Sequence, residues 1–247
     1  MKRGTGFIIL GIFVVTALFT AFIPASAIAG PIKLNYANFP PAPTFPCVQM
    51  ERWKKEVEQR TNGQVVANTY PGGTLLGAKN MMDGVIAGQA DIGNLCMAYQ
   101  PGRFIVTNAT SLPLGIPDAL KGSQVLWNVW EKYQPEAFAK VKVLAMFATA
   151  PTNIMSKVPV RTLEDLKGLD LRASGGAAQI LAAWGANPVG MPMPATVEAL
   201  QKGVVKGSVL FARGDEGFQV CRNLQICDHD RHGYLSLCGG HEHGQLE

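Results

Sequence analysis

The chain has 247 residues, of which 47% are hydrophobic and 16% are charged, enough apolar material for one or two globular cores. Twenty-two Lys and Arg residues against 18 Asp and Glu residues give a formal net charge of +4. Since no cluster of five or six basic residues occurs, the composition argues against disorder and against a nucleic-acid-binding role.

The N-terminus has the pattern of an export signal. Lys2 and Arg3 precede a mostly apolar run over residues 7–23, and a small-x-small cleavage pattern follows at residues 25–27. We therefore predict a signal peptide over residues 1–27 and a mature chain outside the cytoplasm. A permanent single-span anchor is the alternative, because the apolar run is at the short end of what crosses a bilayer.

From residue 31 to about 207, strand-like and helix-like segments alternate, which is typical of an α/β protein. The first part is predicted as a β-α-β-α-β run, with elements at 32–36, 48–60, 65–70, 78–87 and 90–93. An amphipathic helix at 118–133 and a strand at 141–147 follow. Residues 148–152 are predicted as a crossing between two domains.

The second part repeats the alternation in shorter elements. Thr162 is predicted to cap a short helix, because an acidic residue follows it three positions on, and Gly168 to end it. The remaining predicted elements are strands at 153–157 and 169–173 and helices at 177–184 and 196–202.

The strand end at Arg172 carries the strongest candidate site. A Gly-rich turn, Ser174-Gly175-Gly176, follows it and opens a helix. Backbone N–H groups at a helix start favour an anion, and a guanidinium can hold a carboxylate in two parallel hydrogen bonds. From the spacing alone, a surface arginine beside an ordinary tight turn is the alternative. The turn lacks the Gly-Lys-Ser/Thr ending of a phosphate-binding loop.

Catalysis is disfavoured. Residues 31–207 contain no histidine, so no Ser-His-Asp or Cys-His arrangement can form there. Cys47 and Cys96 are too few and too far apart in sequence to indicate a metal site, and are either buried thiols or one disulfide. We predict no enzyme activity, no cofactor and no metal in this part of the chain.

Four stretches in order, at 70–77, 84–92, 159–172 and 199–207, resemble the solute receptors of tripartite ATP-independent periplasmic (TRAP) transporters, the dicarboxylate-receptor-like (DctP-type) family. The resemblance implies a two-lobed α/β periplasmic solute-binding fold, type II-like. Lobe I would cover residues 28–150 and lobe II residues 151–207, incomplete at its C-terminal end. The two lobes would close near residues 148–152.

The resemblance also implies the function and the site. The receptor would capture a small carboxylate in the periplasm and deliver it to the membrane permease subunits, with no bond made or broken. Arg172 would hold the carboxylate, supported by Ser174 and the backbone after it. Cleft-lining positions fall on Asn38, Asn94, Thr152 and Asn153. The solute itself is not indicated: dicarboxylates, sugar acids, 2-oxo acids and amino acids all present a carboxylate.

After Gly207 the sequence changes character, because all four histidines and three of the five cysteines lie in residues 208–247. One interpretation is a zinc or copper site in a secreted metal-binding protein. The interpretation we favour is a tail translated out of frame. With suitable codons, a one-base offset turns the tail into a continuous segment that resembles the family's continuation. We then expect the C-terminal part of the fold to be missing and the chain as printed to be unstable and to bind ligand poorly.

Overall fold

The first sheet is built by the strand and helix alternation that the sequence predicts. In the computed structural model, which describes residues 30–211, strand β1 (Ile32–Asn38) lies between β2 (Val65–Tyr70) and β3 (Ile92–Asn94). Helix α1 (Phe45–Arg60) connects β1 to β2, and the shorter helix α2 (Met81–Ile86) connects β2 to β3. The predicted β-α-β-α-β run is therefore confirmed.

Two glycines allow α2 to pack closely beside the first sheet. A Cβ atom on Gly84 would overlap the side chain of Leu76, and one on Gly93 would lie 2.8 Å from Val85 Cγ2. A larger side chain at Gly93 would push α2 away from the sheet, and one at Gly84 would displace Leu76, which lies between β2 and α2. The resulting core includes the buried residues Ala37, Leu76, Met81 and Ala90.

A helical region follows the first sheet. It contains α3 (Ile105–Asn108) and α4 (Ala119–Tyr133). Asp118 caps α4, because its Oδ1 accepts a hydrogen bond from the Lys121 N–H at 2.8 Å. The predicted helix at 118–133 is thus confirmed, with its first residue serving as the cap. Short 3-10 helices lie at Met97–Tyr99, Ala109–Ser111, Glu136–Phe138, Glu164–Leu166 and Met193–Ala195.

The strand predicted at 141–147 is wrong. From Val141 to Leu144 the segment alternates between half-buried and exposed residues as a strand would, before two exposed residues in a row at Leu144 and Ala145. However, it forms no ladder with another described residue, and no regular element is assigned to it. Side-chain alternation does not make a strand unless a neighbouring strand is present to take its backbone hydrogen bonds.

The second sheet is mixed. Its strand order is β4-β7-β5-β6, with β4 antiparallel to β7 and with β7, β5 and β6 parallel. The strands are β4 (Thr152–Ser156), β5 (Asp170–Arg172), β6 (Asn187–Val189) and β7 (Gly207–Phe211), and the helices are α5 (Gly176–Ala183) and α6 (Thr196–Gln201). The predicted strands and helices of this part are confirmed to within a few residues at their ends.

Side-chain alternation divides the second sheet between two cores. Leu171 and Val209 pack with Leu181 of α5. Met155 and Leu210 pack with Leu200 of α6 and belong to the other core. Consecutive side chains along a strand point to opposite faces of the sheet. Because Leu171 points to the face covered by α5, Arg172 points to the face covered by α6.

The capping prediction at Thr162 is confirmed. The Asp165 N–H donates to Thr162 Oγ1 at 3.3 Å, and Asp165 Oδ2 accepts from the Thr162 N–H at 2.9 Å. These two hydrogen bonds are the reciprocal pair of a capping box. The same carboxylate also accepts from the Arg161 N–H. These backbone donors lower the pKa of Asp165.

Several predictions concern residues that the structure does not describe. The signal peptide at 1–27 and the tail from residue 212 onward lie outside residues 30–211. The domain boundaries at 150 and 207 stay predictions, although strand β7 continues past Gly207 to Phe211. From Lys33 the described residues belong to one compact unit, and those up to Ile32 belong to another. Among the described helices, none is both long and apolar enough to cross a membrane.

Candidate functional site

The candidate site lies where strands of both sheets end. Arg172 is the last residue of β5, and it pairs with Ser208 on the parallel strand β7. Asn38 and Asn94 are the last residues of β1 and β3 and stand opposite each other. Because carboxyl ends of parallel strands meet at one edge of a sheet, each sheet presents polar side chains at such an edge.

Arg172 is a buried cation without an acidic partner. The residue is 6% exposed, and it is the only charged residue among the buried ones of the described part. Its Nε and Nη2 atoms donate to the Met191 carbonyl oxygen at 3.0 and 2.8 Å. The ion pairs found in residues 30–211 are Arg60–Glu56, Arg103–Asp83 and Lys202–Glu198. The charge of Arg172 is therefore not balanced by any described carboxylate.

Ser174 converges on the same carbonyl oxygen. Its hydroxyl donates to Met191 O at 3.4 Å, so the structure brings the predicted pair of Arg172 and Ser174 together. Met191 O thereby fixes one edge of the guanidinium, the edge formed by Nε and Nη2. The Nη1 atom is not engaged by this carbonyl.

The backbone N–H of Gly176, at the helix start after Ser174, was predicted to support an anion, but the structure pairs it within the protein. The Gly176 N–H donates to Ser111 Oγ at 3.1 Å. A Cβ atom on Gly176 would lie 2.5 Å from the Ser111 backbone oxygen, so only glycine allows this approach. The chain after the first sheet therefore covers the first turn of α5, and this N–H is already paired within the protein.

Asn38 and Asn94 form a second polar pair. Asn94 Nδ2 donates to Asn38 Oδ1 at 2.9 Å. Asn38 is fully buried, and its Nδ2 has no hydrogen-bond partner in the described part of the chain. Such a buried donor costs about 1–3 kcal/mol until it is satisfied, so it is a candidate for contact with a ligand oxygen.

Thr152 and Asn153 begin β4, at the same edge as the end of β5. Asn153 stands opposite Leu210 on β7, two residues beyond the Ser208 position that pairs with Arg172. Asn153 thus lies two strands away from Arg172, about 10 Å across the sheet. No hydrogen bond between described residues joins either side chain to Arg172 or to Asn38.

Tyr99 lies beside Arg172 and is a candidate site residue that the sequence did not indicate. The Arg172 Cζ atom lies 6.0 Å from the centre of its ring, and its hydroxyl oxygen accepts from the Met193 N–H at 3.0 Å. Burial raises the pKa of Tyr99, and the nearby thiol of Cys96 adds to the rise. Its place shortly after the end of β3 is the one signal in the sequence that could have indicated it.

The two described cysteines are not bridged to each other. Cys96 is half-buried and present as a thiol, and burial raises its pKa. The Cys47 thiol donates to the Pro40 carbonyl oxygen at 3.1 Å. Within residues 30–211, no group of three His, Cys, Asp or Glu side chains could hold a metal ion. The cysteine and histidine residues of the tail, on which the metal-binding alternative depends, lie outside that range.

A two-sheet α/β protein with a buried, unbalanced arginine at a strand end has the features of a receptor for a small anion. The profile of the bacterial extracellular solute-binding protein family 7 (DctP) matches residues 40–216. The chain belongs to this family, whose members include the solute receptors of TRAP transporters, as the sequence resemblance implies.

Solved structures share the fold. A TRAP periplasmic solute-binding protein from Desulfovibrio salexigens is 57% identical, with a TM-score of 0.63 over 80% of this chain and 60% of that protein. A marine metagenome TRAP solute-binding protein specific for aromatic acid ligands, in complex with 3-hydroxybenzoate, is 30% identical. Its TM-score is 0.71 over 80% of this chain and 61% of that protein. The predicted α/β periplasmic solute-binding fold is confirmed.

Curated relatives match at lower identity. The 2,3-diketo-L-gulonate-binding periplasmic protein YiaO of Escherichia coli is 27% identical over 159 residues, which cover 62% of this chain and 48% of that protein. The chain spans about half the length of the curated relatives it matches and about 60% of the solved structures.

Proposed function

We propose that this protein captures a small carboxylate-bearing solute in the periplasm and delivers it to the membrane permease subunits of a TRAP transporter. Its relatives are solute-binding receptors and not enzymes. The observation that carries the proposal is Arg172, a buried guanidinium at the end of β5 with no acidic partner in the described part of the chain.

Burying the charge of Arg172 has an energetic cost. Taking an ion out of water costs several kcal/mol, and a neutral carbonyl such as that of Met191 offsets part of it. A bound carboxylate would supply the missing negative charge and accept hydrogen bonds from the guanidinium. Binding energy would then come from a charge that the protein has already desolvated and oriented.

Asn38 is proposed as the contact of the first sheet. Its unpartnered Nδ2 would donate to an oxygen of the solute, while Asn94 holds the amide in place through the 2.9 Å hydrogen bond. Thr152 and Asn153 are proposed to line the same cleft from β4. They would contact the solute only after the cleft between the two proposed lobes closes further.

Closure is proposed to occur at residues 148–152, between a first lobe at 28–150 and a second lobe at 151–207. In support, the strands of the first sheet lie within residues 32–94, whereas those of the second lie within 152–211. The hydrogen bonds from Met193 to Tyr99 and from Gly176 to Ser111 show that the two proposed lobes already touch near Arg172.

The relatives' ligands share a carboxylic acid group and differ in the rest. One relative at 30% identity was solved with 3-hydroxybenzoate, and one from Rhodoferax ferrireducens at 27% was solved with benzoate. YiaO is named for 2,3-diketo-L-gulonate. This variety supports a carboxylate as the shared recognition element, and it leaves the body of the solute open.

The test is titration calorimetry with pairs of ligands that differ only in charge. Benzoate, lactate and succinate are compared with benzamide, lactamide and succinamide. Two proteins are used: the 247-residue chain, and the chain expressed from its gene with the downstream reading frame restored by removing one base. We expect at least one carboxylate to bind one of these proteins, and its amide to bind at least a hundredfold more weakly. Equal affinity for acid and amide, or no binding of any acid to either protein, would overturn the proposal.

A further inference from the structure

Two aromatic rings extend from the guanidinium of Arg172 toward the first sheet. Tyr99 lies within cation–π distance of the guanidinium, 6.0 Å from Cζ to the ring centre. Phe39 packs edge-on against Tyr99, with 5.6 Å between the ring centres and 70° between their planes. Phe39 directly follows Asn38, the last residue of β1. Arg172, Tyr99 and Phe39 thus form a row, which we call the aromatic row.

The rings of the aromatic row are held in place. The Tyr99 hydroxyl accepts the 3.0 Å hydrogen bond from the Met193 N–H, which fixes the far end of its ring. Both rings are half-buried, so part of each remains available for contact. A fixed and partly exposed ring offers a ligand contact area without ordering a flexible chain.

Residues 30–211 place one buried positive charge at the site, and it pairs with one negative charge on the solute. Arg172 is the only charged side chain among the buried residues of the part that the structure describes. A second carboxylate on the solute would have no buried cation to pair with, and an unpaired buried charge is strongly unfavourable. A neutral, flat body would instead contact the aromatic row.

We propose that the preferred solute is a monocarboxylate carried on an aromatic ring, with the carboxylate on Arg172 and the ring against Tyr99 and Phe39. This inference rests on the proposed function and narrows its solute class. An aromatic contact of this kind changes affinity by about three- to tenfold beyond the burial of apolar area. The aromatic row would therefore distinguish an aromatic acid from an aliphatic acid of the same size.

The experiment measures the ratio of two affinities by calorimetry, in the two proteins defined above. Benzoate is compared with cyclohexanecarboxylate, which has the same charge and number of carbon atoms, and with succinate, which carries a second charge. The benzoate to cyclohexanecarboxylate ratio does not depend on how much of the protein is active, because both ligands encounter the same sample. We expect benzoate to bind about three- to tenfold more tightly than cyclohexanecarboxylate, and at least a hundredfold more tightly than succinate.

Two variants assign the preference to the ring. Tyr99→Leu should reduce the benzoate to cyclohexanecarboxylate ratio to about one, whereas Tyr99→Phe keeps the ring and should retain the wild-type ratio. Tyr133→Leu is the matched control, because Tyr133 is an exposed tyrosine at the end of α4 and should leave the ratio unchanged.

The outcomes separate this inference from the proposed function. If succinate or cyclohexanecarboxylate binds as tightly as benzoate, or if Tyr99→Leu leaves the ratio unchanged, the aromatic preference is wrong while carboxylate capture stands. If no acid binds either protein, the proposed function fails, and this inference fails with it.

Discussion

Replacing Arg172 with methionine should abolish ligand binding without destabilising the protein. The guanidinium is buried and balanced by no described carboxylate, so its removal relieves a desolvation cost of several kcal/mol. Against this gain, the Met191 carbonyl oxygen loses two hydrogen bonds, at a cost of about 1–3 kcal/mol. The two terms are similar in size and opposite in sign. The free energy of unfolding should therefore change by no more than about 2 kcal/mol.

The effect on binding should be much larger. A carboxylate held by two charge-assisted hydrogen bonds loses about 1.5–3 kcal/mol for each of them. Together they amount to about 3–6 kcal/mol, or a decrease in affinity of about a hundred- to ten-thousandfold. This combination of lost binding and retained stability is typical of a residue kept for function at a cost to folding.

The assay combines calorimetry with thermal unfolding followed by circular dichroism, again in the printed chain and the frame-restored chain. A Tm shift within about 8 °C of the wild type corresponds to the expected free-energy range for a chain of this length. Arg161→Met is the matched control, because Arg161 is an exposed arginine in the same part of the chain. Its replacement should change neither affinity nor Tm. Wild-type affinity in Arg172→Met would refute the site assignment. A much larger decrease in Tm would show that Arg172 is a structural residue.

Three further predictions concern stability and the reading frame. Gly207→Ala should lower the free energy of unfolding by about 1–3 kcal/mol, because a Cβ atom there would overlap the Met155 carbonyl oxygen. Gly190→Ala is the control and should lower it far less, because a Cβ atom at Gly190 would meet no atom within 4 Å. Equal losses of stability in the two variants would contradict the close β4–β7 pairing. Asp165→Asn should lower Tm at neutral pH. The folded pKa of Asp165 is below its ordinary value of 3.8, so the ionised carboxylate stabilises the protein above pH 3.8, and this stabilisation is lost as the pH falls through the folded pKa. The Tm values of variant and wild type should therefore converge in acid. A Tm difference that does not change with pH would contradict this prediction. Sequencing the gene from the codon of Ala199 past its printed end should reveal a second open frame of about a hundred codons, and its absence would make the tail genuine.

The elements that the sequence predicted well are those whose signal is local. The α4 helix carries its own amphipathic pattern and its own cap at Asp118, so its bounds are readable without the rest of the molecule. The capping box at Thr162 and Asp165 is equally local. The segment at 141–147 shows the limit, because its alternation is strand-like but the described residues provide no neighbouring strand.

The candidate site also contains residues that local sequence indicated and residues that only the tertiary structure brought together. The strand end and Gly-rich turn made Arg172 and Ser174 candidates but left a surface arginine as the alternative, and the family resemblance is what favoured them as the site. Pairing Asn38 with Asn94 needed the register of β1 and β3, which joins residues far apart in the chain. Tyr99 was missed because nothing in its neighbourhood in sequence shows that it packs beside Arg172.

The sequence by itself determined the class of fold and the family, because both depend on periodicity and motifs that are local to the chain. It also proposed Arg172 as the candidate cationic residue, because the chemistry of a guanidinium is a property of the residue. The tertiary structure decided that Arg172 is buried with no acidic partner among residues 30–211, and that the Gly176 N–H donates to Ser111. It also placed Tyr99 beside the guanidinium, with Phe39 packed against Tyr99. The physical reason is that burial and charge balance depend on contacts between distant segments. The spacing of residues along the sequence does not indicate which side chains those contacts bury.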